Sequence, residues 1–154
     1  MRKIYLTCGV PGSGKTTWCT QKVMNEGWVH NSRDAVRFMK ILDYEDYFAH
    51  EDDVFSTFVN NIQNDIDNGV ENIIADATHL NSASRNKLLS KLSLKDYEVW
   101  YVVFLVDLDT ALERNQQRTG RARVPDTVIR NMYNNFQMPE GNIIIINEKG
   151  EEVI

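Results

Sequence analysis

Gly9-Val10-Pro11-Gly12-Ser13-Gly14-Lys15-Thr16 is the stretch on which the reading of this 154-residue chain turns. It fits the pattern G-x-x-x-x-G-K-[ST], in which glycines let backbone amides turn inward around phosphate groups. The pattern carries meaning only between a strand and a helix, and both neighbours are present. Residues 3–8 form a short apolar run cut off by Gly9, and residues 15–25 read as the helix that follows. In that setting Gly9, Gly12, Ser13, Gly14, Lys15, Thr16 and Thr17 are candidate ATP-binding residues. Lys15 neutralises charge on the β- and γ-phosphates, and the Thr16 hydroxyl is a candidate Mg²⁺ ligand.

Working outward, strand and helix patterns alternate. Residues 28–30 read as a strand, and Ser32 can cap a helix over 34–41. Apolar residues recur at three- and four-residue steps from Tyr47 to Ile66, predicting one long amphipathic helix that Gly69 ends. Strands over 73–75, 98–106 and 143–146 are interleaved with helices over 82–92, 109–117 and 126–136. Alternation of this kind predicts an α/β fold, a doubly wound parallel sheet flanked by helices. Ligands of such sheets sit at the carboxyl ends of the strands, where Gly9, Asp34, Asp76 and Asp107 fall.

Asp76 closes the apolar run Ile73-Ile74-Ala75, the place for a carboxylate that holds Mg²⁺ through water; Asp is also a common strand-ending turn former. Thr78 and Asn81 beside it are candidate acceptor contacts. Asp34 and Arg37 stand three apart on one helix face, so one can accept the proton of an attacking hydroxyl while the other grips a phosphate at two points. The plainer reading is a first-turn acid beside a surface arginine. Arg114 and Arg118 stand four apart on one predicted helix that runs into a Gly- and Arg-rich loop with Arg121 and Arg123, an Arg-rich lid able to close over ATP. A solvated basic face is the bland alternative.

Composition sets limits. The length suits one domain spanning 1–154, and the net charge of −5 argues against a broad nucleic-acid coat. No Lys or Arg occurs from Ile41 to Ser84 while acids abound, so that stretch is expected to repel polyanions. The sign reverses between Glu113 and Arg130, where an anion is expected. The apolar run before Gly9 is too short for a signal-peptide core or a membrane span, which predicts a cytosolic protein without membrane contacts. Cys8 and Cys19 lack a Cys or His neighbour at zinc-ligand spacing and read as core residues. His30, His50 and His79 share no metal spacing and read as surface or capped histidines.

Gly9 to Thr17, Asn31-Ser32-Arg33-Asp34 with Arg37, Asp76-Ala77-Thr78-His79-Leu80-Asn81, Arg114-Asn115-Gln116-Gln117-Arg118 and Val124-Pro125 together resemble the kinase domain of phage-type polynucleotide 5′-kinase/3′-phosphatase. Their order and spacing match along nearly the whole chain. The resemblance implies that Lys15 and Thr16 bind ATP and Mg²⁺, that Asp34 is the general base and that Arg37 holds the acceptor's 3′-phosphate. It also implies that Arg118 contacts the transferring phosphate and that Arg114 supports the lid. The implied partners are 5′-hydroxyl ends of DNA or RNA, with a separate ligase or phosphatase acting in the same repair pathway, in the host cytosol if the protein is phage-encoded. Three departures stand out. The D-x-D-G-T signature of the phosphatase half is absent, Ala35 stands where the family often repeats the acid, and the Asp76 segment is one residue longer. A kinase of a small phosphorylated or sugar metabolite shares the same aspartate base and arginine lid, and a nucleotide-binding module without chemistry would need neither.

Overall fold

The computed structural model describes residues 1–42, 44–120 and 123–153. In chain order the elements are β1 (Lys3–Cys8), α1 (Lys15–Glu26), β2 (Val29–Ser32), α2 (Arg33–Lys40), α3 (Glu51–Asp67), β3 (Asn72–Asp76), α4 (Ser82–Leu89), β4 (Glu98–Phe104), α5 (Leu108–Gln116), α6 (Asp126–Asn134) and β5 (Asn142–Ile146). The five strands form one parallel sheet in the order β2-β3-β1-β4-β5. The expected doubly wound α/β architecture is therefore present.

Period-two alternation along β1 divides the interior into two layers. Ile4 and Leu6 face α3 and α4, packing with Phe58, Ile62, Ile66 and Leu88. Tyr5 points the other way, into a layer with Trp18 and Cys19 of α1, Val102 and Phe104. A third cluster, Val10 with Ala111, Leu112 and Ile129, seats α5 and α6 beside the glycine loop. Connections leave β1 toward one edge of the sheet and β3 toward the other, so the crevice between the carboxyl ends of β1 and β3 is the switch point where such folds bind ligands.

Several boundaries differ from expectation, each for a visible reason. The helix predicted from Tyr47 starts at Glu51, because residues 47–50 are turns and Tyr47 turns inward to hydrogen-bond the Asp34 carboxylate. Glu51, Asp52 and Asp53 then fill the first turn of α3, where the helix dipole favours anions. β2 is shifted to Val29–Ser32, and Ser32 caps α2 by accepting from the Ala35 amide, as expected. Asp107 is not a strand-end ligand: its side chain caps α5 by accepting from the Thr110 amide at 2.8 Å. The acids between Asp43 and Asp76 do not form one unpaired face. Asp53 pairs with Lys40, Asp67 with Lys95, and Glu51 with Arg33 and Arg37. Cys8 and Cys19 are buried, as read, but His79 is 5 % exposed and not at the surface. Among the described residues no helix is long and apolar enough to cross a membrane.

Candidate active site

The glycine loop is shaped by close backbone approach. Gly12 has φ +82°, and a Cβ there would lie 2.6 Å from the carbonyl oxygen of Ala111, so only glycine lets the loop lie against α5. Gly14, at φ +100°, caps α1 and aims its first free amides into the loop. The Gly9 amide donates to Thr78 O at 2.9 Å, tying the loop's start to the segment after β3. Lys15 Nζ donates to Gly9 O and Val10 O at 2.8 and 2.9 Å, bending across the mouth of the loop. Burial holds this ammonium below the ordinary lysine range, opposed by the charges of Asp76 and Asp34. Ser13 Oγ is buried without a hydrogen-bond partner, an orphan polar atom of the kind a bound phosphate satisfies.

Two cavities meet at this loop. The smaller, about 390 Å³, runs from Gly12–Thr17 past Gln21 and Arg114 to the Asn147–Gly150 turn. The larger, about 610 Å³, extends from Lys15 and Thr16 to Asp34, Arg37, Asp76, Thr78, Arg118 and Arg123. Lys15, Thr16 and Arg118 border both. Residues that the sequence places in four separate stretches thus share one chamber.

Asp76 ends β3 and is 8 % exposed. Its Oδ1 accepts from Thr7 Oγ1 at 3.1 Å and its Oδ2 from His30 Nε2 at 2.8 Å. Burial pushes this carboxyl up, but the His30 bond, the Lys15 charge and the Thr7 bond outweigh it and hold it below the usual range, hence ionised. An ionised carboxylate and an exposed Thr16 hydroxyl that line the same chamber are oxygen donors of the kind Mg²⁺ takes. His79, by contrast, is structural. Its Nδ1 donates to Thr7 O at 2.8 Å, its φ is +40°, and burial lowers its pKa to about 4, so it stays neutral.

The Asp34 end of the chamber is built by side chains. Asp34 Oδ1 accepts from Arg37 Nη1 and from Tyr47 Oη, while more than half of its side chain remains open to the chamber. Arg37 is 5 % exposed, and all three of its guanidinium nitrogens are engaged. Nη1 donates to Asp34 and Tyr47, and Nε and Nη2 to Glu51 at 2.8–3.3 Å. The group also lies 4.3 Å from the Tyr47 ring centroid and 5.5 Å from that of Phe48. Burial lowers its pKa, but Glu51 and its other anionic neighbours win and raise it. Arg33 bonds the same Glu51. Glu51 and Tyr47 are the site members the sequence reading missed. In the sequence Tyr47 continues a helical apolar stripe, and Glu51 is one acid among many.

The other expected residues fall as follows. α5 ends at Gln116, so Arg114 and Arg118 do not share one helix: Arg118 lies beyond the Gln117 cap. Arg114 Nη1 donates to Gly12 O at 3.3 Å and Nη2 to Glu148 O at 2.7 Å, bracing the glycine loop against the turn after β5. Buried Asn115 clasps Val124 through two hydrogen bonds. Arg123 lines the larger cavity, and Arg121 lies outside the described residues. Thr78 faces the chamber, but Asn81 does not border it: its Oδ1 caps α4 by accepting from the Ser84 amide at 2.9 Å.

Solved structures share this fold. A sugar kinase from Janibacter sp. HTCC2649 superimposes with TM-score 0.72 at 18 % identity, covering 98 % of this chain and 88 % of its own. A chain of the Pnkp1/Rnl/Hen1 RNA repair complex does so with TM-score 0.74 at 22 % identity, over 87 % of this chain but only 43 % of its own length. Kti12 from Chaetomium thermophilum, in complex with ADP-AlF3, gives TM-score 0.71 at 14 % identity over 94 % and 88 %. Residues 4–139 match the family model described as an AAA domain, and the chain accordingly belongs to that P-loop family, AAA_33.

Proposed function

We propose that the protein transfers the γ-phosphate of ATP to the 5′-hydroxyl end of a polynucleotide. The observation that carries this reading is the juxtaposition, in one 610 Å³ chamber, of Lys15 with the open carboxylate of Asp34 and with Arg118. Asp34 takes the proton of the attacking hydroxyl as its oxygen bonds to the γ-phosphorus. The bond from that phosphorus to the β-bridging oxygen then breaks and ADP leaves. Lys15 releases the Gly9 and Val10 carbonyls to meet the phosphates, and Arg118 offsets charge on the transferring group. Thr16 directly, and Asp76 through water, would hold the Mg²⁺ that neutralises the phosphate oxygens. Thr78 lines the path of the acceptor.

The nature of the acceptor follows from the far wall. Tyr47 and Phe48 give it two aromatic rings 4.7 Å apart, suited to the flat face of a nucleobase, alongside Ile41 and the acids Glu45, Asp46 and Glu51. The solved RNA repair complex named above is in keeping with this acceptor, and the 5′-ends of DNA or RNA are its proposed partners. One observation favours the second reading, a kinase of a small sugar or phosphorylated metabolite. Arg37, the expected phosphate clamp, is already paired by Glu51, which suits an acceptor without a phosphate there.

The deciding experiment gives the protein γ-labelled ATP with 5′-hydroxyl oligonucleotides, nucleosides, nucleoside 3′-monophosphates and sugars. Labelling of the oligonucleotides and nucleosides ahead of the sugars is the expected outcome, with a nucleoside 3′-monophosphate favoured over its nucleoside only to the extent that Arg37 leaves Glu51 for the phosphate. Preferential labelling of a sugar would establish the second reading instead.

A further inference from the structure

Three side chains with metal-binding atoms converge behind the nucleotide chamber from three different elements. Cys19 of α1, His30 of β2 and Asp76 of β3 bring a thiol, an imidazole nitrogen and a carboxylate oxygen within 4.8 Å of one another. Nothing in their spacing along the chain announces this, because the parallel packing of β2 on β3 and of α1 on the sheet brings them together. Cys19 is fully buried, Asp76 nearly so, and the His30 side chain is 23 % exposed, giving an approach from solvent on the His30 side.

We propose that Cys19, His30 and Asp76 form a site for a thiol-seeking divalent cation of the Zn²⁺ class, and that its occupation withdraws Asp76 from the nucleotide chamber. The donor types decide the class: sulfur and imidazole select Zn²⁺ or Co²⁺, whereas Mg²⁺ and Ca²⁺ take oxygen sets. Bond lengths of about 2.0–2.3 Å at tetrahedral angles put donors about 3.5 Å apart. Reaching that spacing needs a small opening of the 2.8 Å His30–Asp76 bond, and no pair of donor atoms stands more than 4.8 Å apart.

Charge also balances. On binding, the thiol gives its proton to solvent and the imidazole ligates through Nε2 in its neutral form, with its proton on Nδ1. One thiolate and one carboxylate then cancel the charge of the ion, so no net charge is left buried. Burial, followed by the nearby Asp76 charge, holds the free thiol well above the ordinary cysteine range. Cys19 is therefore protonated until a cation arrives. Three protein donors leave one position for water.

The site stands on its own geometry; only its effect on transfer rests on the Mg²⁺ role given to Asp76 above. The test titrates Co²⁺ into the full-length, nucleotide-free protein and follows absorption. One equivalent should produce tetrahedral cobalt bands together with a thiolate-to-cobalt charge-transfer band in the near ultraviolet. Cys19→Ala should abolish the charge-transfer band, and Cys8→Ala should keep it. His30→Gln should weaken Co²⁺ binding by about a hundredfold or more, since even residues that only orient a ligand cost ten- to a hundredfold when lost. Absence of the band in the wild type, or its survival in folded Cys19→Ala, overturns the site. In the transfer assay, stoichiometric Zn²⁺ should slow the wild type reversibly with EDTA and leave Cys19→Ala unaffected. Equal slowing of both would overturn the coupling to Asp76. An absence of transfer activity altogether would count against the proposed reaction and leave the cobalt result standing.

Discussion

The two ends of the chamber are made differently. The phosphate end is backbone: amides and carbonyls of Gly9–Thr17, contiguous in sequence, with one lysine laid across them. The other end, the proposed acceptor end, is a side-chain network in which Asp34, Arg37, Tyr47, Glu51 and Arg33 hold one another across α2, the 47–50 turns and the start of α3. A backbone cradle works as soon as its strand and helix form. A charge network works only when every member has arrived, because each buried charge relies on its partner. The phosphate end should therefore lose function sharply and locally on mutation, and the acceptor end should couple function to stability.

The largest effect is expected at the cradle. Lys15→Ala should lower transfer by on the order of a thousandfold, the scale of losing one preorganised charge on the phosphoryl group. Circular dichroism and the urea midpoint should stay near wild type, since Lys15 packs in no core cluster. Full activity in a folded variant would remove the phosphate end from the comparison.

Asp34→Asn comes next. It should slow transfer to every acceptor by on the order of a hundredfold while leaving the KM for ATP unchanged, because it removes the proton acceptor and leaves the cradle intact. A loss confined to phosphorylated acceptors would make Asp34 a recognition residue and not a base.

Glu51→Gln tests the coupling directly. Replacing a charge-assisted bridge between Arg33 and Arg37 by a neutral one should cost about 1–2 kcal/mol in urea unfolding. Burial pushes the Glu51 carboxyl up, but its bonds to Arg37 and the charges of Arg37 and Arg33 prevail and hold it below the ordinary range. A group with a depressed folded pKa stabilises above its unfolded pKa and loses that contribution as pH falls through the folded value. Wild type should therefore lose its advantage over Glu51→Gln on acidification below the ordinary glutamate range. A constant difference across acidic pH would show that Glu51 contributes through shape and not charge.

The smallest effect is expected from Asn81→Ala. Loss of the α4 cap should cost about 1 kcal/mol of stability with acceptor KM unchanged. A raised acceptor KM would return Asn81 to the acceptor end.

Much of the frame was legible without coordinates. β1, the glycine loop and α1 are local: a buried strand, glycines at positive φ and a helix N-terminus are written in adjacent residues. The alternation of strands and helices predicted the parallel sheet, and the structure brings Asp34, Asp76 and Arg118, each singled out by its place in the sequence, to the lining of one chamber. The misreadings share one cause. Tyr47 and Phe48 continue the apolar period of α3, yet the chain turns there because Asp34 and Arg37 offer partners for a phenol and two rings. Asn81 looks like a substrate contact until its side chain is seen bonding the Ser84 amide.

Sequence by itself determined the phosphate cradle, whose residues adjoin along the chain, and the alternation of strands and helices that implies a parallel sheet. Tertiary structure alone decided which carboxylate meets which cation. Glu51 reaches Arg33 and Arg37, and His30 and Cys19 reach Asp76, only because parallel strands and the helices that join them bring distant residues to one crevice. An ion pair depends on distance in space, and spacing along the chain fixes that distance only within a single element.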